Sequence, residues 1–472
     1  MRPRSAMFRH QEALAARIVS GRRVAGLVPP GYGKTAATLT GLADLKAWPA
    51  LVVAPARVAR TVWQTEKAQW EHLTNLTVSH IGEGLRRESW DGSELEDAHV
   101  ETVSYEQLPH LIDALDLEKR YRAVVFDELD KMKTPGSTRF KKMRQGCADI
   151  PIRVGLTGTP LGNHLLDLWG EMFMVAGEEP LGPTFTDFQA RYFETLDFKG
   201  YNWTLKHSPD CGVYDKPERP CQPCRQARES ETHIFQRIAP WSYTVKAEGS
   251  GVVIPPVHVN TIECEWPSNL AALTKHLEKE LWVRLDSGEE LEALGQSVVA
   301  QKLRQLAGGA VYMATDKLGL KPKWEEVHRL KLDALGDLLD ELQGEPLLLF
   351  YWFDHEYQRL VQFLTERKAR WADLNQKDAE GRWNARQFEV LLVHPQSAGH
   401  GLNLQKATRH VCWFTEPWSW GQLHQGDSRV ARTGCPWDTV ISHRIRCGPT
   451  DARVAAILGR KKAQEGRLFA AL

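Results

Sequence analysis

The stretch Val24-Ala25-Gly26-Leu27-Val28-Pro29-Pro30-Gly31-Tyr32-Gly33-Lys34-Thr35 decides how this chain is read. Five apolar or small residues make a buried strand, and the glycine-rich turn after it leads into Ala36–Leu45, whose apolar residues recur at helical spacing. A strand, a turn with Gly31 and Gly33, and a helix opening on Lys34-Thr35 form the end of a phosphate loop. Glycines let backbone N–H groups turn inward around phosphate oxygens, and the helix N-terminus adds the positive end of its dipole. Lys34 supplies a point charge for the outer phosphates, and the Thr35 hydroxyl suits Mg²⁺. Val28 stands where the pattern usually has its first glycine.

Working outward, short apolar strands alternate with amphipathic stretches, the pattern of a parallel sheet flanked by helices. Val24–Val28, Leu51–Ala54, Glu101–Val103, Ala123–Phe126 and Arg153–Leu156 are the expected strands of a first lobe, with Arg57–Trp70 helical. A second alternating block begins near Leu330, with strands at Leu347–Tyr351, Val390–Val393, His410–Phe414 and Val440–Ile445. The expected organisation is an N-terminal lobe over 1–176, a Cys-containing insertion over 177–256, a helical connection over 257–329 and a C-terminal lobe over 330–472. In the connection, Leu270, Leu273, Leu277 and Leu281 share one helical face.

The chain has 472 residues, 42% hydrophobic and 25% charged, more than one core accommodates. Lys+Arg and Asp+Glu are equal at 60 each, so no global charge advertises a polyanion partner. Local bias exists: Lys131, Lys133, Arg139, Lys141, Lys142 and Arg144 fall within 131–144 with no acidic residue among them. Such a run is a solvated helix face or a phosphate-binding patch. No apolar run reaches membrane-spanning length, and Met1-Arg2-Pro3-Arg4-Ser5 lacks a secretory segment, so a cytosolic protein without a membrane partner is expected.

Asp127-Glu128 ends the strand Ala123–Phe126, where a carboxylate can hold Mg²⁺ and its neighbour can orient or deprotonate an attacking water. Near the other end stands Gln425-Gly426-Asp427-Ser428-Arg429-Val430-Ala431-Arg432-Thr433-Gly434. Three residues apart, Arg429 and Arg432 would share one face of a helix and could stabilise charge on a γ-phosphate.

Together these segments resemble the superfamily 2 helicase-type motors, and within them the Swi/Snf-type DNA translocase ATPases. Leu156-Thr157-Gly158-Thr159-Pro160-Leu161-Gly162-Asn163 is similar to the family's third motif, and Asp127–Lys133 to its second. Ala54-Pro55 with Val62-Trp63 resembles the element after the phosphate loop. Ser397–Leu404 and Glu416-Pro417-Trp418 resemble the fifth motif and its sequel. The resemblance implies two RecA-like parallel-sheet lobes, an α/β fold with an inserted, partly helical middle region. It implies ATP and Mg²⁺ held by Gly31, Tyr32, Gly33, Lys34, Thr35, Asp127 and Glu128 on one lobe. Gly401, Gln425, Arg429 and Arg432 would serve from the other, and Gln11 would read adenine. It further implies a DNA-stimulated ATP hydrolase that tracks double-stranded DNA through the phosphate backbone, without strand separation. Backbone contacts would come from Pro55, Arg57, Ser104, Thr157, Thr159, Phe353, Gly399 and Gly401. Asp130 stands where many relatives have His, and Cys435 where Gln is common. A minimal bacterial or phage motor, monomeric, in the cytoplasm of a bacterium or infected host, is the expectation, with a nuclease or a replication or repair factor as partner. A strand-separating DNA or RNA helicase, and an ATP-switched DNA clamp recruiting a nuclease, are the alternatives.

Cys211, Cys221 and Cys224 lie close together, the last two at zinc-knuckle spacing, and His207 or His233 could complete a tetrahedral site. Structural zinc, free buried cysteines and a redox pair are the readings left open.

Overall fold

The computed structural model describes the chain apart from residues 83–94, 96, 162–163, 196–202, 207–221, 246–249, 273, 276–297, 314–322 and 398–401; of 222–228 it describes the backbone. Two compact units emerge. One comprises Met1–Glu194, Thr204–Val252 and Gln464–Leu472, the other Thr195–Trp203 and Val253–Ala463.

The first unit is built on seven parallel strands: β1 (Arg23–Leu27), β2 (Ala50–Ala54), β3 (Val78–His80), β4 (Val100–Ser104), β5 (Ala123–Asp127), β6 (Ile152–Thr157) and β7 (Ser242–Thr244). They run in the order β3-β4-β2-β5-β6-β1-β7. The central strands are buried on both faces, which is why Val24, Val52, Val53, Val124, Val125 and Val154 read as near-continuous apolar runs. Each such side chain contributes about 1.5–3 kcal/mol on leaving water. Helix α1 (Arg9–Gly21) buries Leu14, Ala15 and Ile18, and α2 (Lys34–Leu45) buries Ala36, Ala37, Leu39 and Leu42. Strands β1, β5 and β6 are neighbours, so the loops leaving their C-terminal ends share one edge of the sheet.

The second unit carries six parallel strands: β8 (Val257–Cys264), β9 (Leu347–Phe350), β10 (Trp371–Asp373), β11 (Val390–Val393), β12 (His410–Trp413) and β13 (Val440–Cys447), in the order β8-β13-β12-β9-β11-β10. The expected class, α/β with two parallel-sheet lobes, is the one observed. One face of this sheet packs Leu348, Phe350, Leu391, Val393, Val411 and Trp413 into a common core, with the Phe350 and Trp413 rings stacked at 4.2 Å.

The region expected to be an insertion over 177–256 contributes an edge strand to the first sheet, Ser242–Thr244, and a helix, α3 (Gln222–Ile238), where the sequence reads as irregular. Helix α3 gains its place by burying Ile234, Phe235 and Ile238. The units divide the chain at other positions than 176 and 256. Of the helical stretch expected over 267–306, the described part includes a helix at Val298–Ala307.

Beneath the ends of the second sheet, the Lys331 ammonium is buried against Asp451 at 2.7 Å and donates to the Phe414 carbonyl at 2.8 Å and Thr415 Oγ1 at 3.1 Å. Burial pushes its pKa down, but Asp451 and then Glu356 outweigh this and hold it above the ordinary lysine value. Breaking one side of a buried pair leaves an uncompensated charge, so Asp451→Ala is expected to cost about 3–5 kcal/mol. Urea denaturation followed by circular dichroism checks this; a midpoint unchanged from wild type would contradict it.

Candidate nucleotide site

The turn between β1 and α2 is held in a phosphate-cradling shape by its backbone. Gly31 and Gly33 have φ of 85° and 72°, the left-handed region. A Cβ on Gly33 would lie 2.0 Å from Gln11 Nε2, so both conformation and space require glycine there. Lys34 opens α2, half-buried, with Nζ donating to the Val28 carbonyl at 2.8 Å, so the ammonium folds back over the loop. Thr35 is half-buried beside it in the first turn. Tyr32 is buried, and its carbonyl lies 2.8 Å from His10 Nε2. The His10 Nδ1 lies 3.3 Å from the Ser250 carbonyl, so this ring ties the loop to the segment after β7.

Gln11, expected to read adenine, is buried and engaged within the protein. Its Nε2 donates to the Gly33 carbonyl at 3.3 Å, and its Oε1 accepts from the Phe8 N–H at 2.9 Å. It thus braces the turn that carries Lys34.

Asp127 ends β5, two strands from β1, and is buried. Trp63 Nε1 donates to Asp127 Oδ2 at 3.0 Å. Glu128 follows with φ 60° and ψ 66°, a left-handed conformation rare for a side chain of this kind. The Tyr105 hydroxyl donates to the carbonyls of Asp127 at 3.1 Å and Glu128 at 3.2 Å, pinning that bend. Burial, and then the carboxylates of Asp130, Asp127 and Glu128, push the Tyr105 pKa well up, so the hydroxyl remains a donor. From β6, the Thr157 carbonyl accepts from the Val28 N–H at 3.0 Å, and Thr157 Oγ1 accepts from the Thr159 N–H at 3.1 Å. Gln11, Gly31, Tyr32, Gly33, Lys34, Thr35, Asp127 and Glu128 therefore gather on one unit, around the C-terminal ends of adjacent strands.

On the second unit, helix α4 (Trp420–Asp427) carries Gln425, half-buried. Arg429 and Arg432 do not share a helical face, because the helix ends at Asp427 and both lie in the turns beyond. The physical reason is the anchoring of this segment from the sheet. Asp427 is buried; its Oδ1 accepts from Trp413 Nε1 at 3.0 Å and Ser442 Oγ at 2.9 Å, and its Oδ2 accepts from Arg444 Nη2 at 2.5 Å. Glycine is required just before it, since a Cβ on Gly426 would lie 2.4 Å from the Trp413 ring. The Arg429 carbonyl then accepts from the Leu404 N–H at 3.3 Å, drawing the backbone away from the helical path. Arg429 is buried, and Arg432 Nη1 donates to the Leu402 carbonyl at 2.6 Å.

Sequence reasoning missed the supports: His10, Trp63 and Tyr105 in the first unit, and Trp413, Ser442 and Arg444 in the second. Trp63 sits in the quoted segment after the phosphate loop, but a lone tryptophan reads as core. Gly399 and Gly401 lie outside the described residues, as do Cys211, Cys221, His207 and the side chain of Cys224, so the zinc reading falls outside them too. Among the described residues no group of three or more His, Cys, Asp or Glu side chains could hold a metal, and no helix is long and apolar enough to cross a membrane.

Fold and loop define the class: a two-unit, parallel-sheet α/β protein with a phosphate-loop turn. A family model described as SNF2-related domain matches residues 11–204. The chain is 30% identical over 459 residues to a putative protein p41 of Acyrthosiphon pisum secondary endosymbiont phage 1, covering 94% of this chain and 93% of that protein. The chain belongs to the SNF2-related family. It is also 29% identical over 157 residues to the helicase SWR1 of Kluyveromyces lactis, covering 32% of this chain but only 10% of that protein. A solved structure of the Sulfolobus solfataricus SWI2/SNF2 ATPase core in complex with dsDNA aligns over 98% of this chain and 94% of its own, at 18% identity and a TM-score of 0.41.

Proposed function

We propose that this chain hydrolyses ATP and uses the cycle to translocate along duplex DNA without separating the strands. The observation that carries the reading is the placement of Lys34, Thr35, Asp127 and Glu128 after the C-terminal ends of β1 and β5, the two strands that flank β6 in one unit. The same chain holds the Arg429–Arg432 element on a second parallel sheet, and its family membership is consistent with both. Phosphate oxygens would meet the N–H groups of the Gly31–Lys34 turn and the Lys34 ammonium. The donor set, a threonine hydroxyl and one buried carboxylate, fits Mg²⁺, which takes hard oxygen ligands and few protein groups. Thr35 and Asp127 would hold it, and it would neutralise charge developing between the outer phosphates. Glu128 would orient the attacking water and take its proton, while Arg429 and Arg432 would stabilise the leaving charge from the second unit.

Duplex DNA is assigned as the track from the similarity of Leu156–Asn163 to the third motif of duplex translocases and from the exposed cations Lys131 and Lys141. Contacts confined to phosphates carry little base specificity and fall steeply with salt. Triplex displacement tests the reading. ATP-dependent release of a third strand, with the underlying duplex still annealed, is expected; strand separation without triplex release would overturn it.

Trp63 enters this scheme as a positioning residue for Asp127. Trp63→Phe keeps the ring in the core and removes the N–H donor to Oδ2. A hydrogen bond to a charged group contributes about 1.5–3 kcal/mol, so a fall in kcat of roughly tenfold or more is expected. The Mg²⁺ concentration for half-maximal turnover should rise, with nucleotide affinity in the absence of metal unchanged. Equal loss of metal-free nucleotide binding would assign Trp63 to packing alone.

A further inference from the structure

At the opposite end of the first sheet from the phosphate loop lies a pocket of about 410 Å³, within the size range of small-molecule sites. Arg23 and Arg153 are register partners on β1 and β6, so their side chains leave the same face. Arg144, from the exposed basic run, closes the third side with its guanidinium 4.6 Å from the centre of the Phe173 ring. Phe173, Met174 and Ala176 supply an apolar wall.

The charge in this pocket is unbalanced where it is deepest. Arg153 is only 5% exposed, its Nε is buried without a hydrogen-bond partner, and it makes no ion pair among the described residues. Burial lowers its pKa, with the Cys147 thiol opposing, Arg23 lowering it further and Asp149 weakly raising it. Burial pushes the Cys147 thiol up to about 12 against the pull of Arg153, so the sulfur meets the guanidinium as a neutral hydrogen-bond partner and brings no carboxylate-like charge to it. The acidic residues of the lining, Glu178 and Glu179, are both exposed, and the approach of Glu179 to Arg23 is 3.9 Å. A buried guanidinium without a carboxylate is costly, and each of the three arginines lining the pocket carries a planar fork of N–H donors from which an oxyanion can accept in bidentate fashion.

We propose that this pocket binds a small oxyanion, a phosphate- or carboxylate-bearing molecule whose anionic group meets Arg153 and Arg23 and whose body lies against Phe173 and Met174. The site is independent of the nucleotide reading, since Lys34 and Asp127 sit at the other ends of the strands. The test is isothermal titration of the full chain carrying Lys34→Ala, which weakens anion binding at the phosphate loop, with inorganic phosphate and with citrate at low ionic strength. Saturable binding at about 1 mM or tighter is expected for at least one anion. It should weaken at least tenfold when Arg23→Gln and Arg144→Ala are added. Both replaced residues are solvent-accessible, and a melting curve verifies that the variant folds; Arg144→Ala alone, expected to weaken binding severalfold, provides a second variant. Binding of phosphate alone would assign a phosphate-bearing ligand, and of citrate alone a carboxylate-bearing one. Affinity unchanged by the arginine substitutions, or no saturation by either anion, would overturn the proposal.

Discussion

Replacing Lys34 with alanine is expected to abolish measurable ATP turnover, a loss of at least 10²–10³-fold, the range for removing one preorganised electrostatic donor. The side chain lies over the loop, held by the Val28 carbonyl at 2.8 Å, and would exchange that contact for phosphate oxygens. The residue is only half-buried, and α2 is held by Ala36, Ala37, Leu39 and Leu42. Melting temperature should therefore stay close to wild type while phosphate release disappears. Persistent turnover in a folded Lys34→Ala protein would remove the phosphate loop from the proposed chemistry.

Glu128→Gln should separate binding from chemistry. The substitution preserves shape and keeps the left-handed backbone that Tyr105 pins through the Asp127 and Glu128 carbonyls. It removes the carboxylate proposed to accept the proton of water, a contribution of about 10²–10⁴-fold. Nucleotide affinity should remain within a few-fold of wild type, so the variant accumulates bound ATP. Fluorescent-nucleotide binding alongside single-turnover hydrolysis reads both quantities. A variant that hydrolyses at the wild-type rate would assign the water-activating role elsewhere.

How much was legible follows from what two-sided burial writes into a chain. Strands β1, β2, β5 and β6 are largely apolar runs because helices or loops cover both faces, and the same holds for β9, β11 and β12, while β4 is buried with Glu101, Thr102 and Ser104 in it. The strands that escaped are at or near sheet edges. Val257–Cys264 is largely exposed and alternates with His258, Asn260 and Glu263, while Ser242–Thr244 and Trp371–Asp373 are three residues each. Short edge strands carry little apolar signal, and their pairing is decided by partners far away in sequence.

The site shows the same division. Gly33, Lys34 and Asp127 are recognisable because phosphate chemistry restricts residue type and spacing. The supports are not, because a hydrogen bond such as Trp63 to Asp127 links positions 64 apart and leaves no local pattern. Arg429 and Arg432 lie beyond the end of α4 for a related reason. Asp427 looks like an ordinary helix residue until Trp413, Ser442 and Arg444, from two different strands, are seen to hold its carboxylate.

ATP turnover in the presence of different nucleic acids decides whether this chain is an ATP-driven motor on duplex DNA. The full chain would be assayed alone, with linear duplex DNA, with single-stranded DNA and with RNA, and Lys34→Ala would set the background. Stimulation of roughly tenfold or more by duplex is expected, weakening as salt is raised because the contacts are to phosphates. Stimulation by single strands or RNA alone, or no turnover above the Lys34→Ala background with any of them, would contradict it.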